Sequence, residues 1–287
     1  MTIQKNIFVS TTFAKDNSKV SEILKLCKKA KILNVELGSN HVYEKNFDNI
    51  IKKFNFSFLV HNYFPIPKRN FVVNIASLNN NIRNLSLQHA KRAITFCNKI
   101  NSKLYTIHPG FLLDPIKASR NKKNYDFIWK NKRENKNYKK AYSNMLKSLK
   151  KITNFAKKKG VQVAIETEGS FNKSGFLLMQ RPEEYKRLFK YFKPKELGIN
   201  LNIGHLNLAS KAFNFSKIKF VNNLKPYILA IELSHNNGIE DQHLPLKKKG
   251  WYWEIINDPY FNEVYKILEF RNTNIKKIKK TIKLFEN

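Results

Sequence analysis

The stretch Ile231–Leu246, IELSHNNGIEDQHLPL, places Glu232, Glu240, Asp241, His235 and His243 within sixteen residues, with Asp241 and His243 in an Asp-x-His pair. Imidazoles and carboxylates at this density can ligate a divalent cation or move a proton. A polar surface loop would have the same composition, so the stretch does not decide alone. Groups of the same kind recur as Glu36, His61, His108, Glu166, Asn202 and Glu269, with His205 three residues after Asn202. Each of the first six stands at or near the C-terminal end of a short apolar run, as does Glu232. If those ends converge, the mixed nitrogen and oxygen donors suit Zn, Mn, Fe or Co better than Ca, which prefers all-oxygen shells, and the cofactor expected is a divalent metal, Mn, Zn, Co, Mg or Fe. No cysteine is placed to contribute.

Eight apolar, β-branched runs carry these groups: residues 6–10, 33–38, 56–62, 103–110, 161–169, 197–202, 227–234 and 264–270. Most are continuously apolar, as strands buried on both faces of a parallel sheet must be. Between them lie segments of helical period. Ser18 is placed to cap a helix running to about Lys29. Ile82, Leu85, Ala93, Phe96 and Ile100 mark a second; Tyr142, Met145, Leu149, Ile152 and Ala156 a third, with Gly160 to stop it; Ile275, Ile278, Ile282 and Phe285 the last. Strands alternating with helices predict an α/β fold, a single (β/α)8 TIM barrel over residues 1–287. A doubly wound open sheet would show the same alternation. In the barrel, the seven strand-end groups meet at one mouth, with Asp241, His243 and His205 above it. The Lys- and Asn-rich segment 111–139 is long for a strand-to-helix connection and reads as a lid or as a solvated insertion.

The chain has 287 residues and a net charge of +33, which raises the question of a nucleic-acid partner. Only eight of its 54 basic residues are Arg, the residue suited to bidentate phosphate contacts, and Lys, Asn and Ile are enriched together, as an A/T-rich coding sequence would produce. The apolar runs are too short to span a bilayer. The start MTIQKNIFVSTTF has no charged region leading into an apolar core, so a cytoplasmic protein is expected. Cys27 and Cys97 have no framework spacing and read as buried free thiols.

Six segments in order resemble the xylose isomerase-like TIM barrels, a superfamily of sugar isomerases and epimerases that also includes the endonuclease IV family acting at abasic DNA. They are VHNYFPIPKRNFVVNIAS, IHPG, IETEGS, NIGH where the family usually has Asp-x-x-His, SHNNGIEDQH, and ILEFRN. The resemblance implies metal ligands at His61, His108, Glu166, Asn202, His205, Glu232, Asp241, His243 and Glu269. Asn202 stands at the usual aspartate and Glu232 at a usual histidine. These exchanges keep the total charge but change the affinities, which favours one or two metals centred on Glu166 and Glu269 over a full set of three zincs.

The function expected is isomerisation or epimerisation of a small sugar or sugar phosphate, with Glu166 and Glu269 as the acid/base pair beside a metal-bound carbonyl. His205 would bind a substrate hydroxyl or a second metal, and Arg271 a phosphate or carboxylate. An alternative is a multinuclear phosphodiesterase acting on abasic DNA, which His61, His108, Asp241, His243 and the basic surface support. A third reading, a barrel that binds without catalysis, rests on Asn202 alone. An assembled oligomer is compatible with all three.

Overall fold

The structure, a computed structural model, describes residues 6–120, 125–129, 137–172 and 176–286. Its strands are β1 (Ile7–Ser10), β2 (Asn34–Leu37), β3 (Ser57–His61), β4 (Leu104–Ile107), β5 (Lys117–Arg120), β6 (Tyr125–Ile128), β7 (Gln162–Glu166), β8 (Gly198–Asn202), β9 (Ile228–Leu233) and β10 (Tyr265–Leu268). The helices are α1 (Val20–Lys29), α2 (Phe47–Ile51), α3 (Asn80–Lys99), α4 (Tyr138–Lys158), α5 (Pro182–Leu188), α6 (Ile203–Phe213), α7 (Lys217–Leu224), α8 (Trp253–Ile256) and α9 (Ile275–Ile282).

Eight strands form one closed parallel barrel in the order β1-β10-β9-β8-β7-β4-β3-β2. Closure is made by Ile7, Phe8 and Val9 on β1 opposite Lys266, Ile267 and Leu268 on β10, which excludes the open sheet. All eight strands fall inside the runs expected from sequence. The runs overshoot at their ends, most at 103–110 and 161–169; in the first the strand stops at Ile107 and the chain turns through His108-Pro109-Gly110. Proline cannot donate to a ladder, and Gly110 has a φ of 89° that other residues resist.

Inside the barrel, Phe8, Leu59, Leu104, Ala164, Ala230 and Ile267 form an apolar plug. Two residues further along five of the same strands stand Ser10, His61, Thr106, Glu166 and Glu232, and Glu269 follows β10 in the same phase. The side-chain period of two therefore turns these polar groups into the barrel directly above the plug. The larger core lies outside, between barrel and helices.

Helix α4 buries the five apolar residues its periodicity indicated, and Gly160 follows at φ 65°. Two expectations are corrected. Ser18 does not cap α1; Lys19 occupies that position without a side-chain bond, and Glu44 instead accepts from the Ser21 amide and hydroxyl. Leu85 of α3 faces outward at 41% exposure, because the buried face runs through Leu87, Ala90, Ala93, Ile94 and Cys97. Cys27 and Cys97 are buried free thiols, and burial pushes both up to about 12. Within segment 111–139, β5 and β6 form an antiparallel hairpin; residues 121–124 and 130–136 lie outside the described set. No described helix is long and apolar enough to cross a membrane.

Candidate metal centre

The barrel mouth opens into a cavity of about 470 Å³. Its polar wall holds His61, His108, Glu166, Glu168, His205, Asp241, His243, Glu269 and Arg271, and its apolar wall includes Phe71, Phe111, Phe127 and Leu177. Ile116 and Lys117 also line it, so the hairpin segment is part of the enclosure rather than a detached insertion.

Two groups of nitrogen and oxygen atoms converge there. In the first, His61 Nε2 and His108 Nε2 approach the same oxygen, Glu166 Oε2, at 3.6 and 3.4 Å. The other nitrogen of each ring is engaged: His61 Nδ1 with Thr106 Oγ1 at 2.9 Å and His108 Nδ1 with Glu168 Oε1 at 2.6 Å. A carboxylate accepting from Nδ1 fixes the His108 tautomer that presents a lone pair on Nε2. In the second group, His205 Nε2 and His243 Nε2 lie 3.5 and 2.9 Å from Asp241 Oδ2. His205 Nδ1 meets the Thr167 carbonyl at 2.9 Å, which can only accept, so Nε2 again carries the lone pair.

Glu269 connects the second group to Arg271. Its Oε2 lies 2.9 Å from His243 Nδ1, and its Oε1 accepts from Arg271 Nη2 at 2.8 Å. His243 has a φ of 47°, unusual for a residue other than glycine, and the antiparallel pairing of His235 with Leu244 closes the loop that presents it. Thus Asp241 and His243 of the opening stretch reach the centre from the loop, and Glu232 enters from β9. His235 packs near Tyr252 instead.

Asn202 has its own geometry. Its Oδ1 accepts from the His205 amide, capping α6, while Nδ2 donates to Glu166 Oε1 at 2.9 Å and Glu232 Oε2 at 3.0 Å. The amide thereby cross-links two buried carboxylates, with Asn200 Nδ2 adding a 3.2 Å bond to the same Glu232 oxygen. Aspartate could not donate these bonds.

Electrostatics follow the pairing. Burial opposes charge on His108, but Glu166 and Glu168 outweigh it and raise the ring to about 9. Asp241 and Glu269 overcome burial in the same way for His243, also to about 9, and Asp241 raises His205. His61, for which burial prevails over Glu166, falls to about 4. Burial would raise Glu166, Asp241 and Glu269, yet neighbouring imidazoles hold all three below the ordinary carboxylate range. Glu232 moves the other way, raised by burial and by Glu166 and Glu269.

The donor set fits a divalent metal. Glu166 Oε2 and Asp241 Oδ1 are buried without a hydrogen-bond partner, and each carboxylate stands beside two imidazole nitrogens, a combination suited to Zn, Mn, Fe or Co. Two groups at the centre were not among the ligands the resemblance implied. Glu36 was visible as a strand-end carboxylate. Glu168, two residues beyond Glu166 in IETEGS, carried no separate signal, because it leaves the strand and turns back onto His108.

The uncharacterized protein MJ1614 of Methanocaldococcus jannaschii is 27% identical over 244 residues, covering 84% of this chain and 81% of its own. Among solved structures, a D-tagatose 3-epimerase-like protein superposes with a TM-score of 0.71 at 21% identity, covering 98% of this chain and 96% of the other. An AP endonuclease, family 2, from Brucella melitensis superposes at 0.61 with 9% identity, covering 94% and 93%. The model of the xylose isomerase-like TIM barrels matches residues 24–287, and the chain belongs to that family.

Proposed function

We propose that this protein is a metal-dependent sugar or sugar-phosphate isomerase or epimerase that moves a proton on the carbon next to a carbonyl. The observation that carries the reading is the pair Glu166 and Glu269, both held below the ordinary carboxylate range, on β7 and just past β10 in one cavity of small-molecule size. The D-tagatose 3-epimerase-like structure supports it by analogy of fold.

His61, His108 and Glu166, with His205, Asp241 and His243, would hold the metal. When bound, it supplies Lewis acidity toward a carbonyl or hydroxyl oxygen and stabilises charge developing there. Glu269 is the carboxylate we assign to proton removal: Arg271 and His243 fix its orientation. Glu269, once protonated, returns that proton to the neighbouring carbon; Glu166, steadied by Asn202, remains a ligand or, after taking a proton from water, delivers it to the opposite face. His205 and Arg271 orient substrate hydroxyl, phosphate or carboxylate groups, and the Phe71, Phe111 and Phe127 rings keep water away from the reacting carbon.

The test is solvent deuterium exchange across a panel of ketoses and their phosphates with protein loaded with manganese or cobalt. Deuterium should enter at the carbon beside the carbonyl, and Glu269→Gln should lower the rate by about 10²-fold or more. Isomerised product without solvent deuterium, formed equally fast by Glu269→Gln, would contradict the mechanism.

The two separate histidine-carboxylate groups favour a second reading, a multinuclear phosphodiesterase acting on abasic DNA. Among the described residues, Lys117 and Arg271 are the only Lys or Arg side chains lining the cavity, and Arg271 bonds Glu269, so little charge is left there to hold a polyanion. Cleavage of an abasic-site duplex by the metal-loaded protein would establish this reading over the first.

A further inference from the structure

The polar interior of the barrel extends past the groups that line the cavity. Glu36 on β2 and Glu232 on β9 are each 1% exposed, and Asn200 on β8 is fully enclosed; none of them lines the cavity. Four oxygens in this layer meet no hydrogen-bond donor: both of Glu36, Oε1 of Glu232 and Oδ1 of Asn200. The Ser10 hydroxyl eases the charge on Glu36 without reaching hydrogen-bond geometry. Glu232 also approaches Glu166, but two carboxylates provide no donor to each other unless one holds a proton. Leaving buried anionic oxygens unpaired is costly, so the layer calls for positive charge.

The spacing suits an ion. Glu36 Oε2 and Glu232 Oε1 both lie 3.9 Å from His61 Nδ1, and one atom from each of the three residues falls within 4.8 Å of the other two. Bonds of about 2.0–2.4 Å allow two ligand atoms to stand up to twice that distance apart across a shared ion. His61 separates this group from the one above: Nε2 faces Glu166, while Nδ1 faces Glu36, Glu232 and Thr106. A neutral ring has one lone pair and serves one level at a time. The two carboxylates therefore carry the lower level whenever His61 serves the upper, with Asn200 Nδ2 holding the far oxygen of Glu232 at 3.2 Å.

We propose that Glu36 and Glu232, with the Nδ1 edge of His61, form a second cation site buried behind the cavity wall, and that it takes a divalent ion accepting mainly oxygen ligands, such as Mn²⁺. This site shares only His61 with the groups to which the catalytic reading assigns metal, and meets it through the other ring nitrogen.

The experiment is an anomalous difference map at the manganese edge from wild-type crystals grown with MnCl₂, paired with Mn²⁺ titration followed by electron paramagnetic resonance. The expected result is a peak at bonding distance from Glu36 and Glu232, distinct from any peak at His108 or Asp241. In solution Glu36→Gln should bind about one Mn²⁺ fewer per chain than wild type. A peak between Glu36 and Glu232 without any upper peak would uphold this site while overturning the catalytic reading. Peaks confined to the upper groups, with equal counts for wild type and Glu36→Gln, would overturn it and assign the compensating charge to a proton. A map with no manganese at either level would overturn both.

Discussion

Asn202 shows how one amide changes the logic of the centre. Its Nδ2 donates to Glu166 and Glu232 at once, holding together two carboxylates that would otherwise repel. Asn202→Asp removes both bonds and adds a third buried carboxyl to the pair, so the metal-free variant should lose roughly 2–4 kcal/mol, read as a lower thermal midpoint, and manganese should restore most of it. An unchanged midpoint would show that the amide is not a cross-link. Glu168 acts through His108, fixing its tautomer by the 2.6 Å contact at Nδ1. Glu168→Gln should weaken metal binding by about 10- to 100-fold in competition with a coloured chelator, and Glu168→Asp should recover part of it. Residue types and strand-end positions made most of the centre legible in sequence: His61, Glu166 and Glu232 are carried by strands whose ends could be read. The orientation of Asn202 and the return of Glu168 were not legible, because both depend on partners from other strands.

At the scale of elements, alternation of apolar strands and amphipathic helices was enough to indicate the barrel, since each run carries its own period. Caps and helix faces were less legible. Ser18 had the right chemistry for a cap, but Glu44, 23 residues beyond Ser21, accepts from the Ser21 amide. The hairpin of β5 and β6 was hidden in a Lys- and Asn-rich segment, yet Phe127 brings it against Phe111 at 4.6 Å between ring centres. Phe127→Ala should open the enclosure, lowering kcat/KM by about tenfold while leaving metal stoichiometry and thermal midpoint nearly unchanged. A variant with full activity would place the hairpin outside the catalytic enclosure. Gly169 is also decided by packing between elements: a Cβ there would stand 2.0 Å from the His205 carbonyl oxygen at the start of α6.

For the whole molecule, the +33 charge and the centre have opposite signs. The described centre and the layer behind it hold six buried carboxylates, Glu36, Glu166, Glu168, Glu232, Asp241 and Glu269, and one guanidinium, Arg271. Without metal, protons on the histidines and on the raised Glu36 and Glu232 compensate. His108 and His243, raised to about 9, contribute stability that is complete below an ordinary imidazole value of about 6.5 and is lost as the pH rises through 9. Glu166 and Asp241 are depressed, so their contribution is present above the carboxylate range and is lost as acid protonates them. The thermal midpoint of metal-free protein should therefore fall between about pH 7 and 9, while metal affinity rises over the same interval because binding displaces those protons. Calorimetry in two buffers of different ionisation enthalpy should register the proton release. A midpoint flat across that range would contradict the pairing described for the histidines. The central claim, that this barrel mouth is a metal centre, is tested most directly by elemental mass spectrometry of protein purified without chelators or a metal-affinity column. One or more equivalents of manganese, zinc, cobalt, iron or magnesium per chain, lost in Glu166→Gln, is the predicted result. No bound metal after dialysis against each of these ions would contradict it.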